Sequence, residues 1–148
     1  MAYELAALSL KGAHIYVGNR LLLPEVDLTV PEGAHVTISG PSGSGKSTLL
    51  KVLAGFPPPS TGQLRFRGAV LGPDNLTEMR SAIAYVPQLP TVPGGLQVIE
   101  FLKEPFAYQY NRRFSVGERE IERQAEALRL PASLLLQGTE KLSGGEKH

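Results

Sequence analysis

Over the first forty residues the apolar positions come in short β-type runs, with no helical stripe. The runs are ELAALSL (4–10), HIYV (14–17), RLLL (20–23), VDLTV (26–30) and AHVTIS (34–39), broken by Gly12, Gly18-Asn19, Pro24 and Pro31-Glu32-Gly33. Such runs, bounded by Gly, Pro and Asn, predict strands with tight turns. The pattern then changes. In STLLKVLAGF (47–56), Leu49, Leu50, Val52 and Leu53 fall together, Gly55 can cap a helix and Pro57-Pro58-Pro59 forbid its continuation, so a short buried helix is expected over 47–54. Residues 62–72 alternate Leu64 and Phe66 with Arg65 and Arg67, the pattern of a half-exposed strand. Asp74-Asn75 open a short helix to Arg80, and SAIAYVPQ (81–88) reads as a buried strand ending at Pro87.

From Leu96 onward the period becomes helical. Leu96, Val98-Ile99 and Leu102 suit one helix; Ser115 with Glu118 forms a capping box for a second, running to Leu130; Pro131 suits the first turn of a third, through Gln137. A β-rich half, residues 1–88, thus precedes a helical half, residues 89–148, with no internal repeat or low-complexity segment.

Composition narrows the function classes. The chain has 148 residues, 42% hydrophobic and 20% charged, enough apolar surface for one globular domain. Lys plus Arg number 15 against 14 Asp plus Glu, and no run of like charge exceeds Arg112-Arg113, so no broad field points to nucleic acid or an anionic membrane. With no cysteine there is no disulfide, thiolate metal site or cysteine nucleophile. His14, His35 and His148 are far apart and read as surface or strand residues. No signal-peptide h-region opens the chain, and no stretch approaches the roughly 20 apolar residues of a membrane span. A soluble protein is expected, one that would reach a membrane by docking on another protein.

The chemistry lies in the loop GPSGSGKST, residues 40–48, which satisfies G-x-x-x-x-G-K-[ST] with Gly40, Gly45, Lys46 and Ser47. Around Pro41, Ser42, Gly43 and Ser44 the glycines let successive N–H groups turn inward as an anion nest. The following helix points its positive end at the same place, Lys46 can reach the β- and γ-phosphates, and the Ser47 hydroxyl, beside Thr48, can ligate Mg²⁺. A chance match is expected in fewer than about one such chain in a hundred. A β-run before the loop and a helix after it strengthen the reading: a triphosphate cradle for ATP. The loop by itself does not separate kinases, GTPases and transport ATPases.

Three further features do. Tyr16 stands on a β-run upstream of the loop, Gln88 ends AYVPQ, and LSGGE occupies 142–146. In this order they make the sequence resemble the ATP-binding cassette (ABC) ATPases. The resemblance implies an α/β fold of the P-loop NTPase class, with an N-terminal antiparallel β-subdomain, a RecA-like core and a helical signature subdomain. It implies that Tyr16 stacks on adenine and that Gln88, the Q-loop glutamine, senses Mg²⁺ and the attacking water. It implies a head-to-tail dimer in which Ser143, Gly144 and Gly145 of one subunit close on the γ-phosphate held by the other. The partners implied are a second nucleotide-binding subunit and a separate transmembrane transporter subunit, with no nucleic acid, and the place is the cytoplasmic face of the cell membrane. The runs PSGSGKSTLLKVLAG, STGQLRFRG, RSAIAYVPQLP and EKLSGGEK look most similar to small single-cassette subunits of bacterial exporters of the iron-efflux type.

The chain also departs from the family pattern. After the signature the family continues with a helix, an apolar strand ending in Asp-Glu, and a switch histidine; here the only aspartates are Asp27 and Asp74, and Asp-Glu never occurs. No residue is therefore assigned as general base, and residues 1–148 read as part of a longer ATPase with an incomplete core. The missing strand would leave the edge of Ala34–Ser39 and the back of helix 47–54 exposed. Two other readings stay open: a soluble ABC ATPase that acts without a membrane, and a nucleotide-binding fragment that does not hydrolyse ATP.

Overall fold

A computed structural model describes residues 6–108, 111–114 and 116–147. They divide into two units, residues 1–85 and residues 86–148. The sequence reading placed its own division after Gln88.

The first unit is built on a four-stranded antiparallel sheet of order β2-β1-β3-β4, with β1 Ala6–Val17, β2 Arg20–Pro31, β3 Thr61–Phe66 and β4 Ala69–Val70. Where the sequence predicts four short strands there are two long ones. The breakers act as bulges: the β1–β2 register slips between the Leu10↔Leu28 and Ala13↔Val26 pairs and again before Ile15↔Leu23. Gly12, at φ 51°, sits in the first slip and donates its N–H to the Asp27 carboxylate at 2.7 Å. Pro24, which has no N–H to donate, falls in the second with Glu25 at φ 45°.

The run 62–72 is a hairpin and not one strand. Arg67 and Gly68 both take positive φ, 48° and 82°, which is the two-residue turn whose twist matches antiparallel strands, and Phe66 then pairs with Ala69.

Against this sheet lies α1, Lys46–Leu53. Val52 and Leu53 are buried with Leu10, Ala13, Ile15, Leu64 and Phe66, and Met79 from α2, Pro73–Ala82, closes the cluster. The end of α1 has a specific architecture. Gly55, at φ 77°, donates to Val52 O and Phe56 donates to Lys51 O, the paired bonds of a Schellman cap. Arg80 locks that cap: its guanidinium lies 4.1 Å from the Phe56 ring centroid and donates to Gly55 O at 2.8 Å.

Two expected strands, Ala34–Ser39 and the one ending at Pro87, form no ladder among the described residues. The physical reason is partnership: a strand exists through its neighbour's N–H and C=O groups, and the sheet's pairs are β1–β2, β1–β3 and β3–β4. Both segments border an apolar cleft in which Val36 is 45% exposed and Leu50 47%, although Leu50 was expected in the buried face of its helix.

The second unit holds α3 Val98–Ala107, α4 Glu118–Ala127, α5 Ala132–Leu135 and a 3₁₀ turn Thr139–Lys141. Val98, Ile99, Ile121, Ala125, Leu134, Leu135 and Leu142 form its core, and Lys103 pairs with Glu118 between α3 and α4. The expected Ser115 cap lies outside the described residues, and α4 starts after Gly117. Among the described residues no helix is long and apolar enough to cross a membrane.

Gly62 carries a constraint that no motif announces. It has φ 80°, and a Cβ there would collide with the carbonyl oxygens of Lys11 and Gly12 on β1. Backbone on one side and a disfavoured φ on the other leave no easy relief. Gly62→Ala is expected to destabilise the first unit by about 3 kcal/mol, read as a lower urea midpoint.

Candidate functional site

The phosphate loop follows from how α1 is packed. Burial of Val52 and Leu53 fixes the helix axis, and the helix therefore starts at Lys46 with Gly45 in the left-handed region at φ 93°. The first helical bond is Leu49 N–H to Gly45 O at 2.8 Å, so the amides of Lys46, Ser47 and Thr48 precede it and meet no helical carbonyl. No side chain caps them. These N–H groups, at the positive end of the helix dipole, are what an anion would pair with.

The loop leading to them is folded on itself. Gly40, Gly43 and Gly45 all take positive φ, and Ser44 N–H donates to Pro41 O at 3.3 Å. A side chain on Gly43 would meet open space, so its role is conformational. Gly45 is different: a Cβ there would stand 3.1 Å from the Leu22 side chain and 3.3 Å from Leu23. The loop thus rests on β2, and the tight approach together with φ 93° favours glycine there. Lys46 turns back over the loop, its ammonium donating to Gly40 O at 3.0 Å and Pro41 O at 2.8 Å. Ser42 and Ser47 are exposed, while Ser44, Lys46 and Thr48 are half-buried.

Tyr16 belongs to the same neighbourhood by register. It pairs with Leu21, next to the Leu22 that touches Gly45, and it is 40% exposed near the end of β1. A ring on an exposed strand position beside a phosphate cradle can offer a face to a base.

Gln88 and the signature residues lie in the second unit. Gln88 is exposed in a bend just after Pro87. Leu142 of the LSGGE stretch is buried in the unit's core, and Ser143, Gly144 and Gly145 emerge from it exposed. Glu146 organises them. Its carboxylate accepts the Ser143 N–H at 2.7 Å, and the Glu146 N–H donates to the Ser143 hydroxyl oxygen at 3.4 Å. That is a capping box over a single turn, closed by Lys147 N–H to Ser143 O at 3.2 Å. The two glycine amides lie outside this box and stay available to an incoming oxygen anion. Glu146 was not singled out from the sequence, yet Ser-x-x-Glu is the spacing that was used for Ser115 and Glu118.

Comparison with known proteins decides the family. The ABC transporter family matches residues 23–148. The chain belongs to the ABC transporter ATP-binding family. It is 28% identical over 146 residues to a probable siderophore transport system ATP-binding protein of Bacillus subtilis, covering 97% of this chain and 53% of that protein. It is 32% identical over 145 residues to an uncharacterized ABC transporter ATP-binding protein of Methanocaldococcus jannaschii, covering 95% of this chain and 58% of that one. The fold is similar, at a TM-score of 0.77 and 27% identity, to an ATP-binding cassette solved as a dimer in a post-hydrolysis state with ADP and Pi, over 95% of this chain and 65% of that one. The fold class is thus that of the ABC ATPase cassettes, P-loop NTPases with an α/β architecture. The chain spans a little over half the length of these two curated relatives.

The signature box has a pH signature of its own. The Ser143 hydroxyl and then the Ser143 N–H hold the Glu146 carboxyl below its ordinary value of 4.5. Because the folded value is depressed, the box contributes above pH 4.5 and is lost as pH falls through the folded value. Titration followed by the Glu146 carboxyl carbon shift should give a midpoint below 4.5, and Ser143→Ala should move it up toward 4.5.

Proposed function

We propose that this chain is the nucleotide-binding part of an ABC transporter's ATPase, binding Mg-ATP in the 40–48 loop and working as a head-to-tail dimer on the cytoplasmic face of a membrane. The observation that carries the reading is the loop itself: three glycines at positive φ, unbonded amides at the start of α1 and an ammonium folded over them. Family membership and a similar cassette whose structure is dimeric and bound to ADP and Pi support it. ATP fits this cradle, because its triphosphate is the kind of anion that inward N–H groups and a lysine neutralise together.

In this reading Lys46 moves from the carbonyls of Gly40 and Pro41 to the β- and γ-phosphate oxygens, exchanging two neutral acceptors for charged ones. Gly40 to Gly45 shape the nest, and the Lys46, Ser47 and Thr48 amides bind the phosphates. Tyr16 stacks on adenine. Ser47 in the first unit, and Gln88 by the family resemblance, are the residues that would hold Mg²⁺, which would supply charge neutralisation for the triphosphate. Ser143, Gly144 and Gly145 of the opposite subunit close on the γ-phosphate, with Glu146 setting the serine. Positioning and charge stabilisation are all these residues supply. The transmembrane partner is a separate subunit, and cargo is chosen there.

A second reading, binding without hydrolysis by residues 1–148, is favoured by one observation. Neither aspartate belongs to the 40–48 loop: Asp27 lies on β2, where it accepts from Gly12 in the β1 bulge, and Asp74 stands in the first turn of α2.

Thermal unfolding tests nucleotide binding directly. Mg-ATP at 100 times its Kd adds about 2.7 kcal/mol, or about 5 to 10 °C in Tm for a chain of this size, and Lys46→Ala should abolish the shift. A transition indifferent to Mg-ATP in the unmodified chain would overturn the proposal. ATP turnover by the same sample separates the two readings, and co-purification of a multi-span membrane protein supports the transporter assignment.

A further inference from the structure

The approach to Ser143 is held by residues to which the phosphate chemistry gives no part. Thr139 is a polar side chain only 1% exposed, and its hydroxyl donates to Pro93 O at 2.6 Å while its N–H donates to Leu96 O at 2.9 Å. Beside it the Glu140 carboxylate accepts the Gly95 N–H at 3.3 Å. The two segments also pair through their backbones: Gln97 bridges Gly138, and Val98 N–H donates to Gln137 O at 3.0 Å. Two residues after Glu140, Leu142 enters the core, and the signature begins. Residues 93–98, the stretch that follows the Gln88 bend, are therefore clasped to the turn that delivers Ser143.

A buried hydroxyl needs some partner, but this one has a particular consequence. Its acceptor lies 46 positions away in sequence, on the segment coming from Gln88, so the bond ties two motifs that the chain itself separates. Leu142 on one side and the Thr139 clasp on the other leave the exposed Ser143–Gly145 turn little freedom at its root.

We propose that Thr139 is a positioning residue for the signature, tying Pro93–Val98 to the turn that presents Ser143 and so passing displacements of the segment after Gln88 to the phosphate-facing amides. The inference rests on the proposed role of the signature, and its test also has a readout that does not depend on that role.

The variants are Thr139→Val, which keeps the shape and removes the hydroxyl, and Thr139→Ser, which keeps the hydroxyl, both in the full chain. Backbone amide exchange is measured across 142–147 and across β1–β3, together with the Kd of a fluorescent ATP analogue and the kcat and KM for ATP. In Thr139→Val, exchange at 142–147 should rise about tenfold with β1–β3 unmoved, and kcat should fall about tenfold at unchanged analogue affinity. Thr139→Ser should restore both. Unchanged exchange at 142–147 in Thr139→Val overturns the proposal, and so does acceleration spread evenly over 86–148 that serine fails to reverse. An unmodified chain that binds no nucleotide would sink the proposed function, while the exchange result would still decide the role of Thr139.

Discussion

Everything the loop can do depends on how α1 is anchored. Val52 and Leu53 contribute the apolar contact with β1 and β3, and burying two such side chains stabilises by about 3 to 5 kcal/mol. That contact decides which way the start of the helix points. The anion nest is a consequence, because the loop between Ser39 and Lys46 must close the distance to a helix whose axis is already set. The other end is held by the Schellman bonds of Gly55 and Phe56 and by Arg80 stacked on Phe56, so the helix cannot slide along its axis without breaking both. Gly45 against Leu22 and Leu23 completes the constraint from the sheet side.

The two units solve one problem in two ways. Each must present backbone N–H groups to solvent without letting the chain collapse onto them. In the first unit, glycines at positive φ hold the loop open and the Lys46 ammonium occupies the carbonyls of Gly40 and Pro41. In the second, a carboxylate does the shaping: Glu146 takes the Ser143 N–H and leaves the two glycine amides outside the box. A lysine suits the first because it can move to a phosphate. A carboxylate in the second place must stay where it is, because turning toward a phosphate would set like charges together.

The motifs were legible in the sequence because they are local. A glycine loop between a β-run and a helix needs only neighbours in the chain, and α1 with its Gly55 cap lies within a residue of its expected bounds. What depends on distant partners was not legible. Gly12 and Pro24 read as strand breaks, whereas Asp27 and the β1 register turn them into bulges inside two continuous strands. Arg67-Gly68 hid a hairpin turn inside an alternating pattern, since two positive φ values leave no trace in hydrophobic periodicity. Ala34–Ser39 and the AYVP run are apolar enough to be strands, but composition does not supply the neighbouring backbone that makes a ladder. Gly62 and Thr139 were invisible for the same reason, as each is defined by a contact with a segment far away in sequence.

Cargo is a different kind of limit. The relatives of this chain include proteins named for siderophore transport and for phosphonate import, at 28% and 37% identity over the matched residues. If the cassette surface read the cargo, proteins with such different cargoes would not share a matched stretch built on the same phosphate chemistry. Under the proposed function the 40–48 loop acts on ATP's phosphates, which are the same whatever is carried. Under the proposed function, specificity would enter through the membrane partner, and a mechanical link would carry it to the nucleotide. A clasp between the segment after Gln88 and the root of the signature is the shape such a link takes within one subunit: short, hydrogen-bonded and anchored at Leu142 in a core that does not yield.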